Sequence, residues 1–264
     1  MYGLKLCLGD VVRVAVATMV VATPWAALAQ SGYTAGMRAF ANGRYTEAAS
    51  HFETALEQRP DFSPYLYHLG MSYQRGDQPD QAVATFQRLV ELPDVDKALR
   101  EKAYVNMMRV LVDLDRQDAV EAAYQQAEAQ LSERAPILNQ LGRARLNHGA
   151  YAKAVSALVR ATQLDSGSWT IYNNLGLAYL NQGNLKAARL AFERAAELGP
   201  ELAFVFNNLG VTYERLQRYE DAARAFRRAL AIDPAYAKAK TSLKRVQRLN
   251  AREKRPSYTV ERDR

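Results

Sequence analysis

The sequence predicts an all-α solenoid of stacked helix hairpins, and three observations predict it. The chain repeats with a fixed period: YNNLGLAYLNQGNLKAARLAFERAAELGP from Tyr172 returns 34 residues later, from Phe206, as FNNLGVTYERLQRYEDAARAFRRALAIDP. Within one period Tyr172, Leu175 and Tyr179 recur at three- and four-residue steps, Gly183 and Asn184 interrupt, and Ala188, Phe192 and Ala195 resume the spacing. That is the pattern of two amphipathic helices joined by a short break. Small residues, Gly176 and Ala188, stand where Tyr179 and Phe192 need room to interdigitate. A unit this short cannot bury its own apolar face, so successive units must stack.

The first 29 residues differ from the rest. Lys5 and Arg13 flank a short charged start, residues 14–22 are apolar apart from Thr18, and Ala27, Leu28 and Ala29 precede Gln30. This is the layout of a secretory signal with an A-x-A cleavage site, so the mature chain is expected in the periplasm after cleavage at Ala29. The alternative is an inner-membrane anchor left uncleaved. Residues 14–29 are 16 in number and include Thr18, Thr23 and Pro24, short of the roughly 18 or more apolar residues of a spanning helix. Cys7, the sole cysteine, lies in this segment, which leaves the mature protein no disulfide and no thiolate for catalysis or metal.

From there, stepping by the period places six hairpins over residues 30–236, with units near 29–62, 63–96, 101–134, 135–168, 169–202 and 203–236 and residues 97–100 left over as an insertion. Pro200 stops the fifth unit. Gly36, Gly70, Gly142, Gly176 and Gly210 occupy one slot, where the third unit has Met108. That unit also has Ser132 where a proline often ends the repeat, yet Tyr104, Met107, Leu111, Tyr124 and Ala127 keep the apolar spacing. A local repacking around the adaptable methionine and a hinge beside the insertion are both open.

Residues 237–255 form a basic capping helix. Ala239, Leu243, Val246 and Leu249 make one stripe, and Lys238, Lys240, Lys244, Arg245, Arg248 and Arg252 occupy the other faces. A solenoid needs such a polar-backed element over its last apolar face. Helix is expected to fade near Pro256, leaving residues 256–264 as a disordered tail.

The order Leu-Gly, aromatic, Ala, Phe, Ala, Pro at this spacing resembles the tetratricopeptide repeat. The resemblance implies a right-handed superhelix of six hairpins whose first helices line a concave groove, and a protein that binds other proteins. Size and layout are also similar to the small tetratricopeptide proteins of tight-adherence (Flp) pilus assembly, although many of those carry a lipid-attachment cysteine that this chain lacks.

The net charge of +7 does not make this a nucleic-acid binder. Residues 237–264 hold ten basic and three acidic side chains, whereas residues 30–236 hold 23 and 24. No basic face runs along the repeats. The cationic end can attract an anionic lipid or polysaccharide surface, or simply solubilise the cap and favour its helix C-terminus.

No catalytic, metal or cofactor site is expected. His51, His68 and His148 fall in different repeats without a second ligand at metal spacing. The glycines recur singly at hairpin positions, not in a phosphate loop, and there is no nucleophile motif. Glu220 and Asp221 are read as first-turn charges of a helix.

The candidate site is the groove. Asn106, Gln140, Asn174 and Asn208 form one row along the first helices, with Asn139, Asn173 and Asn207 beside the last three. A side-chain amide carries a donor and an acceptor and suits the backbone of an extended peptide, as some tetratricopeptide proteins use an asparagine ladder. Equally, the row can bond one repeat to the next. Farther along the same wall stand Met71, Arg109, Arg143, Leu177 and Val211, with Tyr67 and His68 toward the N-terminal end. Arg109 and Arg143 can pair with a partner's carboxylates, and Leu177 and Val211 can receive an apolar side chain. The partners expected are other envelope proteins.

Overall fold

The computed structural model describes residues 24–253, with side chains from residue 31. Most of the expected signal segment, Cys7 and the expected tail lie outside the described residues. Helix α1 (Pro24–Ala41) runs without interruption past Ala29.

The described residues form thirteen α-helices and no strand. They pair as antiparallel hairpins: α1 with α2 (Tyr45–Gln58), α3 (Ser63–Arg75) with α4 (Pro79–Glu91), and α5 (Lys97–Asp113) with α6 (Gln117–Leu131). The series continues with α7 (Ala135–Asn147) and α8 (Tyr151–Leu164), α9 (Trp169–Gln182) and α10 (Leu185–Leu198), then α11 (Ala203–Arg215) and α12 (Tyr219–Ile232). The last helix, α13 (Ala237–Glu253), packs on α12 through Ala239 and Val246. This is an all-α helical repeat solenoid.

The turn inside every hairpin uses one left-handed residue: Gly43, Asp77, Asp115, Gly149, Gly183 and Gln217, with φ between 58° and 86°. These positions are 34 residues apart except between the second and third hairpins, where the step is longer by four. The extra residues are not an insertion outside the helices. They form the first turn of α5, which starts at Lys97 because the Asp96 carboxylate accepts the Leu99 N–H at 3.1 Å as an N-cap. Arg100 then donates to the carbonyls of Leu92 and Pro93 at 2.5 and 3.2 Å, tying the extension to the end of α4.

Close packing within a hairpin depends on the glycine slot. A methyl group at Gly36, Gly70, Gly176 or Gly210 would fall 2.6–2.7 Å from the ring of Phe52, Phe86, Phe192 or Phe226 respectively, and all four rings are fully buried. Leu158 fills the same role opposite Gly142. In the third hairpin Met108 is itself fully buried, Tyr124 is displaced to a half-buried position with its hydroxyl on Glu128, and α5 and α6 pack less closely than other hairpins.

Neighbouring hairpins are locked by buried contacts and by polar bonds that recur in register. Tyr73 donates to Glu53, and Tyr213 donates to Glu193 at 2.6 Å, each joining a first helix to the second helix before it. Arg145 grips Glu121 through two bonds of 2.8 and 2.9 Å, the strong bidentate geometry.

Candidate functional site: the wall of first helices

The first helices approach one another along the solenoid, α1 to α3 and onward to α13, whereas among the described residues successive second helices make no comparable contact. The first helices therefore form the inner wall of the curve. Of these neighbours, α5 and α7 lie closest together.

A cleft of about 430 Å³ opens on this wall between α5, α7 and the start of α9. It brings together six of the expected residues: Arg109, Asn139, Gln140, Arg143, Asn173 and Asn174. Trp169, Pro136, Asp165 and Thr170 also line it. The sequence reading missed these four because they come from helix starts and the α8–α9 turn, outside the row that repeats.

The amide row does join repeats. Asn174 donates its amide N–H to Oδ1 of Asn139 at 2.8 Å, and Asn208 donates to Oδ1 of Asn173 at 3.1 Å. At one end of the row, Gln140 has no amide behind it, since Val105 stands there, and its Oε1 accepts from Arg143 at 2.8 Å. At the other end α13 offers Ser242 in place of the next amide, and Oδ1 of Asn207 is buried without a partner among the described residues. Asn106 is engaged separately, donating to its own helix at Lys102 O and to the Tyr67 hydroxyl at 2.9 and 3.2 Å.

The two arginines differ. Arg143 is tied to Gln140 and to Asp113 at 3.2 Å, while Arg109 is exposed and, among the described residues, has no carboxylate partner.

The remaining expected residues lie outside the cleft. His68 is packed among the rings of Tyr33, Phe52 and Tyr67, so it serves the core rather than an open wall. Burial lowers its pKa from the usual 6.5. Tyr67 and Met71 are half-buried against the same core. Leu177 and Val211 do not form the open apolar stretch expected of them: both pack half-buried against the cluster of Leu180, Phe192 and Leu209.

A second concavity, about 580 Å³, lies on α13 among Thr241, Lys244, Arg245, Arg248, Leu249 and Arg252. Lys244 occupies the glycine slot of this helix, a position it can fill because no described helix packs there. Arg245 is held by Glu214 at 2.6 and 2.7 Å.

Among the described residues no group of histidine, cysteine and acidic side chains suits a metal ion, and no helix is long and apolar enough to cross a membrane.

Residues 39–103 and 170–235 each match the tetratricopeptide-repeat family. The chain belongs to that family. Among solved structures, this tetratricopeptide protein is similar to a chain of the APC/C hetero-tetramer Cut9-Hcn1, with a TM-score of 0.66 and 21% identity over 83% of this chain and 42% of that one. It is similar to YrrB, a tetratricopeptide protein with an unusual peptide-binding site, with a TM-score of 0.55 and 22% identity over 74% of this chain and 99% of that one. It is also similar to PilF of Pseudomonas aeruginosa, with a TM-score of 0.66 and 14% identity over 84% of this chain and all of that one. At these identities the likeness is one of fold. The chain spans less than half of the Cut9-Hcn1 chain. No curated protein matches the chain.

Proposed function

We propose that this protein is a periplasmic adaptor that holds an extended segment of another envelope protein in the cleft between α5, α7 and α9, without catalysis of its own, and that it serves the assembly of a pilus or secretion machine. The observation that carries the reading is the cleft itself: an open volume on the inner wall, lined by an uncommitted arginine, amides and a tryptophan. This is a surface for peptide recognition, with polar groups to bond a backbone and an aromatic to contact side chains. The peptide-binding site of the similarly folded YrrB is a precedent. The signal-like residues 1–29 motivate the location, and size and layout motivate the pilus setting.

Photocrosslinking in cells tests it. A photoreactive residue at position 136, where Pro136 lines the cleft, is expected to capture a discrete envelope protein in the periplasmic fraction, while the same residue at Leu190, an exposed position on second helix α10, captures none. Equal capture from both positions, or retention in the cytoplasm, overturns the proposal.

A second reading, attachment to an anionic polymer or membrane surface, is favoured by the cationic concavity on α13. It predicts envelope retention that weakens with salt and is lost in a Lys244→Ser, Arg248→Ser, Arg252→Ser variant; the adaptor reading predicts that the triple variant keeps its crosslinked partner.

A further inference from the structure

We propose that the cleft selects a segment carrying an aspartate or glutamate, and that Arg109 is the residue that reads this carboxylate. The inference rests on the adaptor reading and names the chemistry of its ligand.

The polar atoms that remain after the repeats have bonded to each other decide what the cleft can hold. Asn139, Gln140 and Asn173 are 8%, 5% and 8% exposed, so their amides are built into the wall. In each, the oxygen is already used: Asn139 accepts from Asn174, Gln140 from Arg143 and Asn173 from Asn208. Among the described residues, none of the three amide nitrogens has an acceptor. None of them is among the fully enclosed unsatisfied atoms either, so all three reach the cleft they line. The contacts between repeats therefore consume acceptors and leave donors facing the ligand.

A cleft of unused donors favours a ligand rich in acceptors, since a donor that the ligand buries and leaves unpaired weakens binding. Arg109 adds an unpaired positive charge on the α5 side. Arg143 adds little, because Asp113 shares it. On the opposite rim Asp165 accepts the Gly167 N–H at 2.9 Å and places a negative charge beside the start of α9. The cleft is thus polarised, cationic toward α5 and anionic toward α9, so an acidic side chain has one favoured position, next to Arg109. Among the described residues that line the cleft, one amide acceptor stays free, Oδ1 of Asn174, and it can take a backbone N–H of the same segment.

Selection from a phage-displayed library of random dodecapeptides on the purified protein tests this. The expected result is enrichment of peptides with Asp or Glu at one fixed register. Arg109→Gln is expected to weaken synthetic versions of those peptides roughly tenfold, the loss of one charge-assisted pair, and Arg109→Glu to redirect selection toward Lys or Arg at that register. Arg109 is exposed, so both variants should melt as the parent does. Enriched peptides with no acidic position, or an acidic preference unchanged by Arg109→Glu, overturn the inference and leave the adaptor reading standing. Failure to enrich any peptide above a Trp169→Ala control overturns both.

Discussion

In the fifth hairpin a bare glycine on α9 receives the Phe192 ring, whereas in the third the same slot holds Met108 and the facing ring, Tyr124, is half displaced toward solvent. The ends of the second helices differ as well. The fifth places Gly199 at a negative φ of −133°, which any residue adopts, while the third places Ser132 at φ 62° and ψ −172°, a region suited to glycine. The two hairpins show that the repeat tolerates an inverted packing, large residue on the first helix and ring outside, at the cost of a looser pair. The looser pair is also the one whose first helix lies closest to the next, and it is there that the cleft opens.

The largest effect should come from the buried ring. Phe192→Ala is expected to cost about 3–5 kcal/mol, and Tyr124→Ala clearly less, because its ring already touches solvent. Denaturant melts of the two variants measure the difference, and equal losses would show that the third hairpin is packed like the fifth. Gly176→Leu should be similarly damaging, since even a methyl group there meets Phe192.

Breaking the row that joins repeats comes next. Asn208→Ala leaves Oδ1 of the buried Asn173 without its donor, with an expected loss of about 1–3 kcal/mol, read as a lowered thermal midpoint. Stability equal to the parent's would mean the row carries no structural load. In the opposite direction, Ser132→Gly should relieve a strained backbone and raise stability by about 1 kcal/mol; a drop would show that the loop before α7 does not need that conformation.

The smallest effect is at His68. Burial lowers its folded-state pKa, so below about pH 6.5 the unfolded chain binds more protons than the folded one. Stability is therefore expected to decline as pH falls through that value and to level off once the folded-state group also titrates. Melts at about pH 7.5 and pH 5.5 should show a decline that His68→Phe reduces.

Much of the fold was legible because each core slot repeats: Phe192 and Phe226 or Gly176 and Gly210 identify one another by spacing alone. The four extra residues before the third hairpin were not, since a period fixes register but not which side of a loop absorbs the excess. Asp96 decides that by capping a lengthened α5. The amide row was legible as a row, yet its use was not, because whether Asn174 bonds Asn139 or a ligand depends on the distance between helices 35 residues apart. His68, Leu177 and Val211 were placed on the wall by helical position, and only packing shows that their side chains turn to the core. Trp169 has no counterpart at its period, and Asp165 recurs only at Asp233, two periods on, where it makes the same turn bond, so neither pointed to the cleft.

The central claim is that one set of residues holds the repeats together and another, in the same wall, binds. It is tested most directly by measuring Asn208→Ala and Arg109→Glu side by side, each for its thermal midpoint and for its yield of crosslinked partner from a photoreactive residue in place of Pro136. The prediction is a lowered midpoint only in the first variant and, in the second, an unchanged midpoint with partner capture lost. A second variant that melts early, or that captures its partner undiminished, would contradict the account.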